Sequence, residues 1–353
     1  MVDYMVEAEM LYHAGAYAEA GALFHDLWDQ GHTDAGVRYA ACLRKAGHTA
    51  SALTVSRRLV RQTPADPRAR AELGWALLET LASSAQAAHD LRRLEAIADE
   101  ALRDGQGSAV AEIVLTVVEE ALHQLEWDTA NAWCDRLEPA QLDGASTFED
   151  GQRRASPRER WYSAKVRALL HLHRWHHARA LALQALSLRP QSIEFARLAA
   201  RALAGQGELL QAQADLHTLH LRRPLDWSTL YELARVDFQL GYGRAAACHA
   251  ARAALIPGDE RYRVELFILL ADILADQGQF EVAACHVVLA RSWYTRQRQT
   301  APGRLKKLEG RLRAALALSD QRFPDVTLAG LSAIRQRCQR EWQTMASWLP
   351  VGQ

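Results

Sequence analysis

Two Cys-His pairs, Cys248-His249 and Cys285-His286, are the residues whose chemistry stands out first. Each closes the word Ala-Ala-Cys-His, and each word begins five places after a glycine, Gly241 or Gly278. Two thiolates and two imidazoles would fill a tetrahedral zinc site. Helix geometry opposes that reading. Adjacent helical residues point about 100° apart, and equivalent positions on neighbouring packed helices lie about 10 Å apart. Small buried cysteines beside surface or interface histidines are the expectation. In "HLHRWHH" (171–177), His173 and His177 are four apart, a chelating interval on one continuous helix. Here they straddle a turn, so a solvated turn is expected and no metal.

Nucleophile, zinc-protease and phosphate-loop motifs are missing: the chain has no GxSxG, no HExxH and no Walker loop. The pair Glu119-Glu120 reads as a solvated helix surface. The expectation is a protein that is not an enzyme and carries no cofactor. A basic segment, "RSWYTRQRQTAPGRLKKLEGRLR" (291–313), sets eight Arg or Lys against Glu309, with Trp293 and Tyr294 nearby. Basic plus aromatic is the composition that contacts a phosphate backbone and stacks on bases; a solvated helix face is the plainer reading.

The composition bounds what can hold these residues. The chain has 353 residues, 49% hydrophobic and 24% charged, enough for one long domain or two. Its formal net charge is zero, so no global field draws it to nucleic acid or anionic lipid. No run of about 18 apolar residues occurs, so no membrane span is expected. The N-terminus carries Asp3, Glu7 and Glu9 and has neither the basic nor the apolar region of a secretory signal. Five cysteines without a CxxC pair suit a reducing, cytoplasmic compartment. Lys45, Lys165, Lys306 and Lys307 are the only lysines; the arginine bias and heavy alanine usage suggest a GC-rich bacterial genome.

Ala, Leu, Arg, Glu and Gln dominate, and apolar residues recur at three- and four-residue spacing, as in "ARLAARALAGQGELLQAQADLHTLHL" (196–221). Helices of about a dozen residues alternate with Gly or polar turns. Gly207 and Gly241 are 34 apart, as are Pro190 and Pro224; Gly15 and Gly47 are 32 apart, and Gly241 and Gly278 are 37 apart.

A period near 34 with two helices per unit resembles the tetratricopeptide repeat. The residues agree position by position. Gly15, Tyr17, Ala20 and Phe24 match in the first unit, Trp175, Ala178, Ala185 and Pro190 in the fifth, Gly241, Ala246 and Ala253 in the seventh, and Leu270, Ala271, Gly278, Phe280, Ala283 and Ala290 in the eighth. The resemblance implies an all-α, right-handed superhelical solenoid of about eight helix pairs, in which stacked units bury one another's apolar faces. Units are expected at about 1–32, 33–66, 67–105, 108–138, 159–192, 193–226, 227–260 and 264–300. An N-terminal sub-stack would cover 1–138, a linker or long loop 139–158, a second sub-stack 159–300, and capping helices 301–353.

The resemblance also implies a concave groove, faced by the first-helix residue just after the small packing position. In units five to seven that residue is Arg167, Arg201 and Arg235, although Val166 replaces the small residue in unit five. Arg160, His171, Arg197, Tyr231 and Phe238 are expected on the same face, and Asp272 and Asp276 break the pattern in unit eight. The reading is a scaffold or adaptor that binds an extended, acidic protein or peptide. Its rivals are a nucleic-acid-associated scaffold using the arginines and the 291–313 segment, and a regulatory or chaperone module for a bacterial stress or conflict-system effector.

Overall fold

A computed structural model describes residues 4–83, 90–142, 148–149, 152–153, 155–258, 263–324 and 328–348. Among these, eighteen α-helices and one 3-10 turn account for nearly all regular structure. The chain divides into two compact units, Met1–Arg174 and Trp175–Gln353.

The first unit contains α1 (Tyr4–His13), α2 (Tyr17–Asp29), α3 (Thr33–Lys45), α4 (Thr49–Gln62), α5 (Pro67–Ala82), α6 (Leu91–Asp104), α7 (Ser108–His123), α8 (Trp127–Cys134) and α9 (Pro157–His171). The second contains α10 (Trp175–Leu188), α11 (Ile193–Gly205), α12 (Leu209–Arg222), α13 (Trp227–Gln239), α14 (Gly243–Leu255), α15 (Val264–Asp276), α16 (Phe280–Arg296), α17 (Gly303–Leu318) and α18 (Leu328–Ala346). Within each unit, helices consecutive in sequence pack side by side up to α17. The division falls after α9, whereas the sequence placed it within 139–158. The reason is local: Trp161 donates its indole N–H to the Cys134 carbonyl, and Lys165 reaches Asp135, holding α9 on α8.

Most helix pairs, though not α5–α6, are closed by the same turn. The second residue after the first helix adopts a left-handed backbone, with φ of 92° at Gly207 and 81° at Gly241. The next N–H then returns to a carbonyl five residues back, Glu208 to Leu203 and Tyr242 to Asp237. Leu125 and His173 occupy this position with φ of 64° and 56°, although side chains disfavour that region. The turns into the next pair use different chemistry. Pro64, Pro190 and Pro224 stop a helix, and two residues later Asp66, Ser192 or Asp226 caps the next one through its side-chain oxygen.

One alanine on the second helix of each pair sits at the closest approach. Ala20, Ala52, Ala130, Ala178, Ala212, Ala246 and Ala283 are all fully buried. Ala8, Ala40, Ala200, Ala234 and Ala271 oppose them from first helices and are equally enclosed. A larger side chain at either place would push the helices apart.

The 139–158 segment is only partly outside this packing. Pro139–Gln141 forms the 3-10 turn, Leu142 is buried, and Arg158 donates to the carbonyls of Pro139 and Ala140. Phe148–Glu149 and Gln152–Arg153 form a two-residue antiparallel pair. Positions 143–147, 150, 151 and 154 lie outside the described residues, and Ser156 caps α9.

The C-terminal helices behave differently from each other. Helix α17 continues the stack on α15 and α16, whereas α18 turns back onto α14 and α16. Ile334, Cys338 and Met345 bury one face of α18. Trp342 stacks parallel to Phe267, with ring centroids 5.8 Å apart, and donates its indole N–H to Nε2 of His286 at 2.8 Å. Only α17 therefore follows the expectation that both helices extend the end of the stack. The repeated Ala-Ala-Cys-His words gain a physical meaning here. Cys248 Sγ donates to the Ala346 carbonyl, and His286 accepts from Trp342, so both words contact α18. His249 turns the other way, with Nδ1 2.7 Å from buried Asp237.

Two outcomes follow from the turns and from His286. Replacing Leu125 by Gly should stabilise the protein by about 1 kcal/mol, and Gly207→Ala should destabilise it by a similar amount, both read from thermal melts. Burial holds the His286 pKa down at about 4, despite the Val282 carbonyl facing Nδ1. The unfolded chain binds that proton near the usual histidine value, about 6.5. As pH falls from 6.5 to 4, only the unfolded state gains it, so stability drops by about 3 kcal/mol through this window. The loss of Tm between pH 7 and 4.5 should be smaller in His286→Gln.

Candidate partner-binding face

In the first unit, charged residues on first helices pair with those of the next repeat. Arg38 of α3 meets Glu9 of α1 at 2.8 Å, and Arg44 of α3 meets Glu72 of α5 at 2.7 Å. Arg160 of α9 joins this scheme, 2.7 Å from Glu119 and 2.5 Å from Glu112 on α7. Burial works against its charge, but the two carboxylates outweigh burial and raise its pKa. His171 stacks flat on Trp127, with ring centroids 3.7 Å apart. Arg167 is exposed on α9.

The other candidate residues belong to the second unit. Glu232 of α13 is buried, with Arg235 at 2.9 Å and Arg201 of α11 at 3.6 Å. Burial pushes the Glu232 pKa up, but Arg235, Arg201 and Arg197 pull it further down, so it stays ionised. Tyr231, beside this carboxylate, is half-buried, and burial pushes its phenol up to about 12. Phe238 packs against the α13–α18 core. Repeat spacing alone presents these arginines as a row of like charges. In the second unit a buried carboxylate instead joins Arg201 and Arg235. The missed signal was visible: Glu232 lies three residues before Arg235, on the same helical face.

Asp272 of α15, where the arginine pattern breaks, receives Arg304 of α17 and lies 3.7 Å from Arg311. Glu309 holds Arg291 and Arg313. Half the cations of the 291–313 segment therefore sit on carboxylates. Its aromatic residues face inward, with Tyr294 buried and Trp293 packed on the core. Among the described residues, no three His, Cys, Asp or Glu side chains are placed to hold a metal ion. No described helix is long and apolar enough to cross a membrane.

Removing Arg235 leaves Glu232 short of its nearest counter-charge in a buried place. Arg235→Gln should therefore destabilise the protein by about 2–3 kcal/mol. The double variant Arg235→Gln/Glu232→Gln should recover most of that loss, and a denaturation cycle over the four proteins measures the coupling.

A family model described as Tetratricopeptide repeat matches residues 11–76. No curated protein matches the chain. Among solved structures, a tetratricopeptide repeat protein from Parabacteroides merdae aligns with a TM-score of 0.53 at 14% identity, over 79% of this chain and 98% of that one. A thermophilic TPR protein from Thermus thermophilus aligns with a TM-score of 0.45 at 15% identity, over 59% and 99%. The human IFIT1 dimer with PPP-AAAA gives 0.44 at 13% identity, over 97% and 80%. The Parabacteroides likeness carries the helix-pair fold across most of the chain, and the matched segment carries the repeat's residue pattern. Residues 11–76 thus match the tetratricopeptide repeat, and the recurring turn and the enclosed alanines continue the same helix-pair fold along the described residues.

Proposed function

We propose that this protein is a non-catalytic cytoplasmic adaptor whose second unit binds an extended acidic protein segment along the face formed by α11 and α13. One observation carries the reading: Arg197, Arg201 and Arg235 act on one buried carboxylate, Glu232. The face keeps an excess of positive charge after its internal pairing. The arginines are held in place by that pairing, so little ordering is needed when a ligand arrives. Carboxylates laid along the face would accept charge-assisted hydrogen bonds from the guanidinium edges that Glu232 leaves unused. Tyr231 supplies a phenol O–H and ring surface beside them. In the first unit Arg167 is exposed, Glu112 and Glu119 occupy Arg160, and Trp127 covers one face of His171.

The nucleic-acid reading is weaker for a physical reason. Stacking on bases needs exposed rings, and Trp293 and Tyr294 are engaged in the core. Fluorescence anisotropy with a labelled twelve-residue Asp/Glu peptide, a matched Lys peptide and poly(U) separates the readings. The acidic peptide should bind preferentially, and Arg197→Gln should weaken it about three- to tenfold with Tm unchanged. Preference for poly(U), with a steep loss of affinity as salt rises, would transfer the function to nucleic acid.

A further inference from the structure

Two neighbouring cations of the second unit stand at the turn between α12 and α13. Arg222 ends α12 and Arg223 follows it; both are exposed, and neither meets a carboxylate among the described residues. They line an open cleft of about 540 Å³ with Ile193 and Arg197 of α11 and with Leu225. Leu225 is 81% exposed and Leu221, at the end of α12, is 70% exposed.

The turn itself does not require this composition. Pro224 stops α12 and Asp226 caps α13 with bonds to the Thr229 N–H and hydroxyl. Between the equivalent Pro and cap of two other repeats stand Ala65 and Gln191. A leucine there has no packing to provide, and a single exposed leucine would need no explanation. Here Leu225, Ile193 and three arginines border one cleft, with Glu194 and Asp226 also in its wall. Asp226 is occupied as a cap, so three arginines stand against one further carboxylate, Glu194, and the rim carries a positive surplus.

We infer that this cleft is the anchor point for the acidic segment, and that it selects an aliphatic side chain flanked by carboxylates. The inference rests on the adaptor reading above and specifies the ligand. Arg222 and Arg223 bind carboxylates on either side of the anchor, and Ile193 and Leu225 cover the aliphatic group. Arg197 lines the cleft and also acts on Glu232, so the cleft opens onto the α11–α13 face. An extended segment anchored here continues past Arg201 and Arg235. The chemistry favours a protein segment over nucleic acid, because the cleft pairs its cations with aliphatic rather than aromatic surface.

Selection of a random nonapeptide phage library on the full chain tests this. Enriched peptides should combine two or more acidic residues with Leu, Ile, Met or Phe. A synthesised winner should lose at least tenfold affinity for Arg222→Glu/Arg223→Glu, and about fivefold for Leu225→Ser. Tm should not change in either variant, since all three side chains are exposed. Acidic winners that ignore both variants but are lost in Arg197→Gln would overturn the cleft and leave the α11–α13 face standing. Winners without acidic residues, or no enrichment, would overturn both. Poly(U) that competes with the winner and is itself lost in Arg222→Glu/Arg223→Glu would make the cleft a nucleic-acid site and overturn the inference.

Discussion

The close approach of two helices at an alanine is the constraint on which this structure depends. A helix of about thirteen residues is marginal alone in water and is stabilised mainly by burying one face. Ala212 against α11 and Ala246 against α13 let backbones come near enough for neighbouring leucines to interlock. The left-handed turn residue is needed because a pair this close leaves only three residues for the reversal. Where Leu125 and His173 replace glycine, the reversal is still made, at a cost in backbone strain that packing offsets.

The same closeness governs the charges. Once first helices of successive repeats lie side by side, their polar rows are within ion-pair distance. The rows respond by pairing: Glu9 with Arg38, Arg44 with Glu72, Glu119 with Arg160, Glu232 with Arg201 and Asp272 with Arg304. Exposed pairs of this kind contribute little each. Glu72 and Glu232 differ because they are buried, and their arginines cannot be removed without leaving a carboxylate short of compensation. What a partner meets on α11 and α13 is therefore the surplus over internal pairing. Arg222 and Arg223 lie outside this pairing, at a turn beside the start of α11.

Helix α18 shows how a repeated sequence acquires two roles. Cys248 and Cys285 are small enough to stay in the packed interior, and all five cysteines are buried and free. Their neighbours then diverge. His286 accepts from Trp342 and stays neutral, whereas His249 faces Asp237. Identical words thus serve a returning helix in one repeat and a buried polar pair in the next one over.

Much of the fold was legible in the residues alone, because it depends on local chemistry repeated at a fixed interval. Glycines 34 apart, prolines 34 apart and alanines on one helical face specify turns, stops and close contacts without reference to distant residues. The candidate face was legible only in part. Sequence spacing puts Arg201 and Arg235 at equivalent positions, but it does not say that Glu232 lies buried between them, since burial depends on how the next repeat covers it. Nor does it show that Trp293 and Tyr294 turn into the core, or that Trp342 crosses to Phe267 and His286, 75 and 56 residues away in sequence. Those choices belong to contacts between elements far apart in the chain, where packing rather than spacing selects which side chain meets which.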